Sequence, residues 1–175
     1  VASSIALAYL PGFFFAFQRK HPDVQINVTQ ETSQEIIAAV EAKEIDAGLV
    51  CPPLRLPRGL QITHRFTDEF TLITPPKFFH DAKASRISPR KLKTFAKQRW
   101  LLIDGGGNTG QRRHRWLAEH DLKIEPAMEL DSFDTIVILV SLGLGISIVP
   151  HRVLPLYVQR RALGRIAIKP CFSRE

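Results

Sequence analysis

The chain has 175 residues, 45% of them hydrophobic and 23% charged, with a formal net charge of +7. That balance fits one globular domain, or two small lobes on one chain, with enough apolar surface to bury a core without staples. It excludes a disulfide framework, since the only cysteines are Cys51 and Cys171, and a reducing, cytosolic setting is expected.

No basic-then-apolar leader opens the chain. The charge-free run Thr135 to Pro150 has 16 residues, short of the roughly 20 a membrane helix needs. The densest basic stretches are Arg86 to Arg99 and Arg112, Arg113 and Arg115. Aromatic residues are not interleaved with them as a base-stacking surface requires, so they read as a solvated basic face.

Along the chain, VQINV (24–28) alternates apolar and polar residues and predicts a strand. Thr32 and Glu35 have capping-box spacing, and Ile36, Ile37 and Val40 give the helix that follows one apolar face. IDAGLV (45–50) predicts a second, buried strand, and this strand–helix–strand order builds parallel sheets. CPPLRLPRG (51–59) interrupts regular structure. LQITHRF (60–66) and FTLITPP (70–76) predict strands around a polar turn at Thr67, Asp68 and Glu69. Ser88 and Pro89 open a helix. RWLLID (99–104) predicts a strand, GGGNTG (105–110) a loop, QRRHRWLAEH (111–120) a helix and PAMELD (126–131) a strand. Asp131 or Ser132 caps the helix FDTIVILVSL (133–142). Gly143 then leaves that helix in the left-handed conformation, Leu144 and Gly145 complete a tight corner, and ISIV runs as a buried strand closed by Pro150. A small residue at Gly145 lets a ligand or another backbone come close. The fold class is α/β.

Several motifs carry possible chemistry. Gly105, Gly107 and Gly110 match G-x-G-x-x-G between a strand and a helix, with Asp131 further on, the outline of a dinucleotide fingerprint. A phosphate loop is excluded, because Gln111 and Arg112 stand where Lys and Ser/Thr belong. The plainer reading is a glycine loop whose helix start binds some other anion. The six histidines, His21, His64, His80, His114, His120 and His151, form no H-E-x-x-H, and the spacing of His114 and His120 keeps them off one helical face, so no metal is expected. No G-x-S-x-G elbow is present. Cys51 reads as a core or pocket-wall residue. Hydroxyl or amide side chains stand where helices start: Ser3, Ser4, Thr32, Ser33, Asn108, Thr109 and Ser132. In parallel α/β sheets such starts gather at the carboxyl ends of the strands, where ligands bind.

These stretches, in order, resemble the effector-binding domain of LysR-type transcriptional regulators over essentially the whole chain. ASSIALAYLPGFFFAFQRKHPDVQINV is similar to that family's first helix and second strand, and ETSQEIIAAVEAKEIDAGLV to its next helix and strand. FTLITPP resembles its crossover into the second lobe, and DSFDTIVILVSLGLGISIVP, the most specific stretch, its late helix–glycine–strand signature.

The resemblance implies two Rossmann-like lobes, as in periplasmic binding proteins, with an effector cleft between them. Lobe I is expected over 1–74 and 166–175, incomplete at both ends, and lobe II over 75–165. It implies no catalytic chemistry and no cofactor. The implied partners are a small effector, a second copy of the chain in a homodimer or tetramer, and DNA only through a winged helix-turn-helix outside this sequence. Carried over by position, the implied effector-binding residues are Ser3, Ser4, Thr32, Ser33, Cys51, Pro52, Asn108, Thr109, Ser132 and Phe133. The anionic character expected of the effector comes from the converging helix starts and the net charge. Two alternatives stand beside this reading: a solute-binding protein of transport, and a dinucleotide-dependent oxidoreductase built on GGGNTG and Asp131.

Overall fold

The structure is a computed structural model. It describes the chain except residues 54, 77, 79–85, 158–162, 170–172 and 175; His80, Cys171 and part of the expected 166–175 segment of lobe I lie outside the described residues. The chain divides into two compact units, Val1–Arg65 and Phe66–Glu175.

In the first unit, α1 (Ser3–Lys20) and α2 (Ser33–Glu41) are the regular elements. α2 begins as its spacing predicts, with the Thr32 and Glu35 side chains each satisfying the other's backbone amide. Ile36 is fully buried on its apolar face. The segments 24–28 and 45–50 are not strands, correcting the alternation-based expectation. Ala2 runs beside the chain that follows the first of them and beside the second: it forms a parallel bridge with Glu31, and its N–H donates to the Leu49 carbonyl at 2.8 Å. Alternation favours extended backbone, but a ladder also needs a partner in register over several residues, and here the pairing is a single bridge. LQITHRF is likewise not a strand.

The second unit is built around β1 (Asp68–Thr74). Asp68 and Glu69, expected in a turn, belong to this strand instead, and Asp68 is buried. β1 pairs antiparallel with β5 (Ser147–Pro150), β6 (Gly164–Ile168) and β7 (Ser173–Arg174). The short β2 (Arg86–Ile87) adds to β6 in parallel. Leu72 and Ile73 point to opposite faces and are both completely buried, so the sheet is covered on both faces at β1. α3 (Pro89–Leu92) continues into a 3-10 turn over Lys93–Phe95, shorter than the helix expected there. A parallel pair follows, β3 (Trp100–Ile103) with β4 (Pro126–Leu130), connected by α4 (Asn108–Glu119). α5 (Phe133–Ser141) leads back to β5.

The corner between α5 and β5 forms as the glycines predict. Gly143 has φ +89°, and it follows the last turn of α5. A Cβ at Gly145 would strike the Arg99 carbonyl oxygen. Two hydrogen bonds need that close approach: Ile146 N–H to the Arg99 carbonyl and Leu101 N–H to the Ile146 carbonyl, both 2.9 Å. They join β3 to the lead-in of β5. Gly145→Ala is therefore expected to destabilise the fold by about 1 to 3 kcal/mol, the usual cost of forcing atoms into a packed contact. Thermal unfolding followed by circular dichroism checks it; Gly12→Ala, a substitution that meets no atom within 4 Å, is the comparison.

Candidate functional site

The expected site residues fall into two groups, one in each unit. In the first unit the Ala2–Glu31 bridge sets the starts of α1 and α2 side by side, and the Ser3 N–H donates to the Glu31 carbonyl at 3.3 Å. Ser3 is exposed and is the first residue of α1. Ser4 follows it in the helix; its side chain lies outside the described ones. The N-cap of α1 is Ala2, so neither serine is the cap. Thr32 is the N-cap of α2 and Ser33 its first residue. The chain that bonds Ala2 through Leu49 runs on to Cys51, which is 1% exposed, and to half-buried Pro52.

In the second unit the parallel register pairs Ile103 with Leu130, and the Asp104 N–H donates to the Leu130 carbonyl at 2.7 Å. Both strands therefore end at the same level, and α4 and α5 start from that edge. Asn108 and Thr109 are the first two residues of α4 rather than part of a loop, which corrects the expected helix start at Gln111. Gly107 is the N-cap, and both Asn108 and Thr109 are buried. Ser132 caps α5, accepting from the Thr135 N–H at 3.4 Å. Asp131, exposed, precedes that cap. Phe133 is buried, with its ring edge-on to Phe70 at 5.8 Å between centroids.

Two side chains shape these groups in ways the motif reading did not include. The Thr32 hydroxyl donates to Glu35 Oε2 at 2.7 Å and accepts from the Glu35 N–H at 3.2 Å. One lone pair is left on that oxygen, so Thr32 can accept a further hydrogen bond but donates only by releasing Glu35. The Thr32 hydroxyl, then its backbone N–H, hold the Glu35 carboxyl below the usual glutamate range. The other is Arg113, which departs from the expected solvated basic face: it is 3% exposed. Its guanidinium donates to the Ile103 carbonyl, and Nη2 lies 3.1 Å from Glu129 Oε1 and 2.8 Å from His114 Nε2. It thus ties α4 to the ends of both β3 and β4. Helical spacing carries the signal that finds it, since Thr109, Arg113, Trp116 and Leu117 share the buried face of α4.

The glycines of GGGNTG also have a local explanation. A Cβ at Gly110 would overlap the Asp104 carbonyl oxygen, so this glycine lets α4 start hard against the end of β3. Among the described residues no group of three His, Cys, Asp or Glu side chains could hold a metal ion. No helix among them is long and apolar enough to cross a membrane.

A parallel sheet edge at which helix starts collect, in an α/β chain of this order, is the setting of a small-molecule site. The family model of the LysR substrate binding domain matches residues 1–175, and the chain belongs to that family. It is an effector-binding regulatory domain of a LysR-type transcriptional regulator, a family without enzymatic activity. This sets aside the transport and oxidoreductase alternatives. Among curated relatives, the chain is 27% identical over 142 residues to the HTH-type transcriptional regulator CzcR of Bacillus subtilis, covering 81% of this chain and 45% of that one. It is 26% identical over 167 residues to the HTH-type transcriptional regulator YeiE of Escherichia coli, covering 95% and 55%. The chain thus spans about half the length of the curated relatives it matches. Among solved structures, the CcmR regulatory domain of Synechocystis in complex with 2-PG matches with a TM-score of 0.77 at 17% identity, over 99% of this chain and 81% of that one. The effector-binding domain of QuiR in complex with shikimate matches with a TM-score of 0.70 at 15% identity, over 99% and 82%. These two likenesses are of fold, the periplasmic-binding-protein-like architecture of LysR regulatory domains.

The capping box carries a pH signature. The folded-state pKa of Glu35 lies below its unfolded value. Its contribution is complete above the unfolded carboxylate pKa and is lost as pH falls through the depressed folded value. Glu35→Gln keeps the side-chain acceptor but not the titration. The acid-side fall in Tm is expected to be shallower in this variant than in the parent, as read from thermal unfolding scans across acidic pH.

Proposed function

We propose that the chain senses a small anionic effector bound between lobe I (1–74 with 166–175) and lobe II (75–165), and that binding shifts the DNA contacts of the complete cytoplasmic regulator. The supporting observation is the same in each unit: helix starts gather where neighbouring parallel backbone segments end. Ser3, Ser4, Thr32, Ser33, Cys51 and Pro52 form one group. Asn108, Thr109, Ser132 and Phe133 form the other. The first amides of each helix have no intrahelical acceptor and carry the positive end of the helix dipole. In this reading the charged end of the effector lies on the α4 and α5 starts, because Glu35 occupies the start of α2. A donor group of the effector meets the remaining lone pair of Thr32.

Small acids are the natural first probes, and 2-PG and shikimate, bound by two proteins of the same fold, head the panel. A ligand found by thermal shift is expected to bind Thr32→Val about 1 to 3 kcal/mol more weakly by calorimetry, the range for an unmade buried hydrogen bond. Thr32→Ser, which restores the hydroxyl, should recover most of the loss. Binding must be compared at a temperature where each variant is folded, because the substitution also removes a helix cap. Undiminished affinity of the folded Thr32→Val protein removes Thr32 from the site.

We also propose self-association through α1. Phe13 and Phe15 are 58% and 69% exposed, far more than ordinary apolar exposure explains on one helix. Phe13 stacks on Phe17 at 5.8 Å between centroids, so the apolar surface is continuous along the helix. Sedimentation velocity is expected to show a dimer or higher species whose population falls in Phe13→Ser/Phe15→Ser. A protein that stays monomeric at high concentration contradicts this.

A further inference from the structure

The charge of this chain is not shared between its units. The first unit holds six Lys or Arg and six Asp or Glu, and the second holds 18 and 11, so the whole excess of +7 lies in the second. Its densest part runs from Arg86 to Arg99, a stretch without a single acidic residue. The structure gives this stretch a shape. From Pro89 to Gln98 the backbone turns continuously: α3, the 3-10 turn, then Ala96 N–H to the Lys93 carbonyl and Gln98 N–H to the Phe95 carbonyl. Pro89 and Leu92 are buried on the inner side. The Trp100 indole N–H, donating to the Phe95 carbonyl at 2.9 Å, pins the turn to β3. Arg90, Lys91 and Lys97 are exposed on the outer side, with Arg86 before the ridge and Arg99 after it.

The placement of partners sharpens the point. Lys93 is neutralised locally, with Nζ 2.7 Å from Asp121 Oδ2. The side chains of Arg86, Arg90, Lys91, Lys97 and Arg99 have no ion pair or hydrogen bond among the described residues. Protection of a sheet edge accounts for Arg86, which lies on the edge strand β2. It does not account for the other four, which lie off the sheet. A cluster of unneutralised cations is complementary to a polyanion.

We propose that this ridge is a secondary contact surface for the phosphate backbone of double-stranded DNA. The choice of DNA over other polyanions rests on membership of a family of transcriptional regulators; the ridge itself is independent of the effector reading. Seven residues separate Arg90 from Lys97, about 10 to 14 Å at helical rise. A duplex strand presents one charge per about 3.4 Å of axis, so the ridge spans three or four phosphates. The contact is to backbone alone and carries no sequence preference. It adds affinity to a site chosen by another segment of the regulator, and it favours DNA that bends toward the second unit.

The test is a fluorescence-anisotropy titration of the 175-residue chain with a labelled duplex of arbitrary sequence, repeated over a series of salt concentrations. The parent is expected to bind at low salt. Arg90→Gln/Lys91→Gln/Lys97→Gln should flatten the slope of log K against log salt by about 2 to 3, the release expected for three phosphate contacts. Arg55→Gln/Arg58→Gln, two exposed cations of the first unit, should keep the parent slope. The proposal is overturned if the parent does not bind duplex at low salt, if the triple variant keeps the parent slope, or if the first-unit variant flattens it comparably. Preference for an acidic peptide over the duplex also overturns it, and points to a protein partner instead. Effector binding by the triple variant is read separately, so loss of DNA contact and failure of the effector reading are distinguishable.

Discussion

The arrangement of the second unit depends on one close approach, the Gly145 backbone against the Arg99 carbonyl. The hydrogen bonds made there by Ile146 and Leu101 connect the β3–β4 pair to the sheet around β1. No side chain fits in that space. The contact also fixes the level at which β3 ends, and through the Ile103–Leu130 register the level at which β4 ends. The starts of α4 and α5 inherit their positions from it. A sensor needs helix starts held in place before the ligand arrives, since ordering them on binding would subtract from affinity.

Arg113 works at the same edge by a different means. A buried guanidinium is costly unless its donors are paired. Here one pairs with the strand-end carbonyl of Ile103 and others with Glu129 and His114. Removing Glu129 would leave the buried charge uncompensated, so this pairing ties α4 to the ends of β3 and β4. Gly110 serves the same end by removing bulk. What resembles a dinucleotide fingerprint is therefore explained by packing: the glycines let a helix begin immediately after a strand.

Legibility of the sequence followed the range of the interactions involved. The capping box at Thr32, the Ser132 cap, the corner at Gly143 and the buried run of β5 are set by residues within a few positions of one another, and each was readable. The helix start at Asn108 was missed because Gly107 serves as cap without a side chain to announce it. The segments 24–28 and 45–50 failed as strands for a longer-range reason. Alternation describes the chain's own preference, whereas a ladder is a property of two chains in register. Of the candidate site, the helix starts were legible by residue type. Their grouping became visible only through the Ala2–Glu31 bridge and the Ile103–Leu130 pair. The engagement of Thr32 with Glu35 was half legible: the spacing announces the cap, but not that the hydroxyl proton is committed to the carboxylate.

That commitment has a consequence for selectivity. A threonine with a free hydroxyl proton would welcome an anion, and the helix dipole would reinforce it. With the proton directed to Glu35 the same residue offers a lone pair, and the nearest full charge is negative. The two groups of site residues then differ in character. Thr32 and Glu35 select a donor, whereas α4 starts behind a glycine cap, without a carboxylate in its first turn. α5 is intermediate, since Asp134 lies in its first turn and Ser132 already accepts from Thr135. The start of α2 favours a hydroxyl or amine, whereas the start of α4 favours an acidic group. An anion placed at the start of α2 meets repulsion from Glu35. In the proposed site, selectivity comes as much from what Glu35 rejects as from what the amides attract.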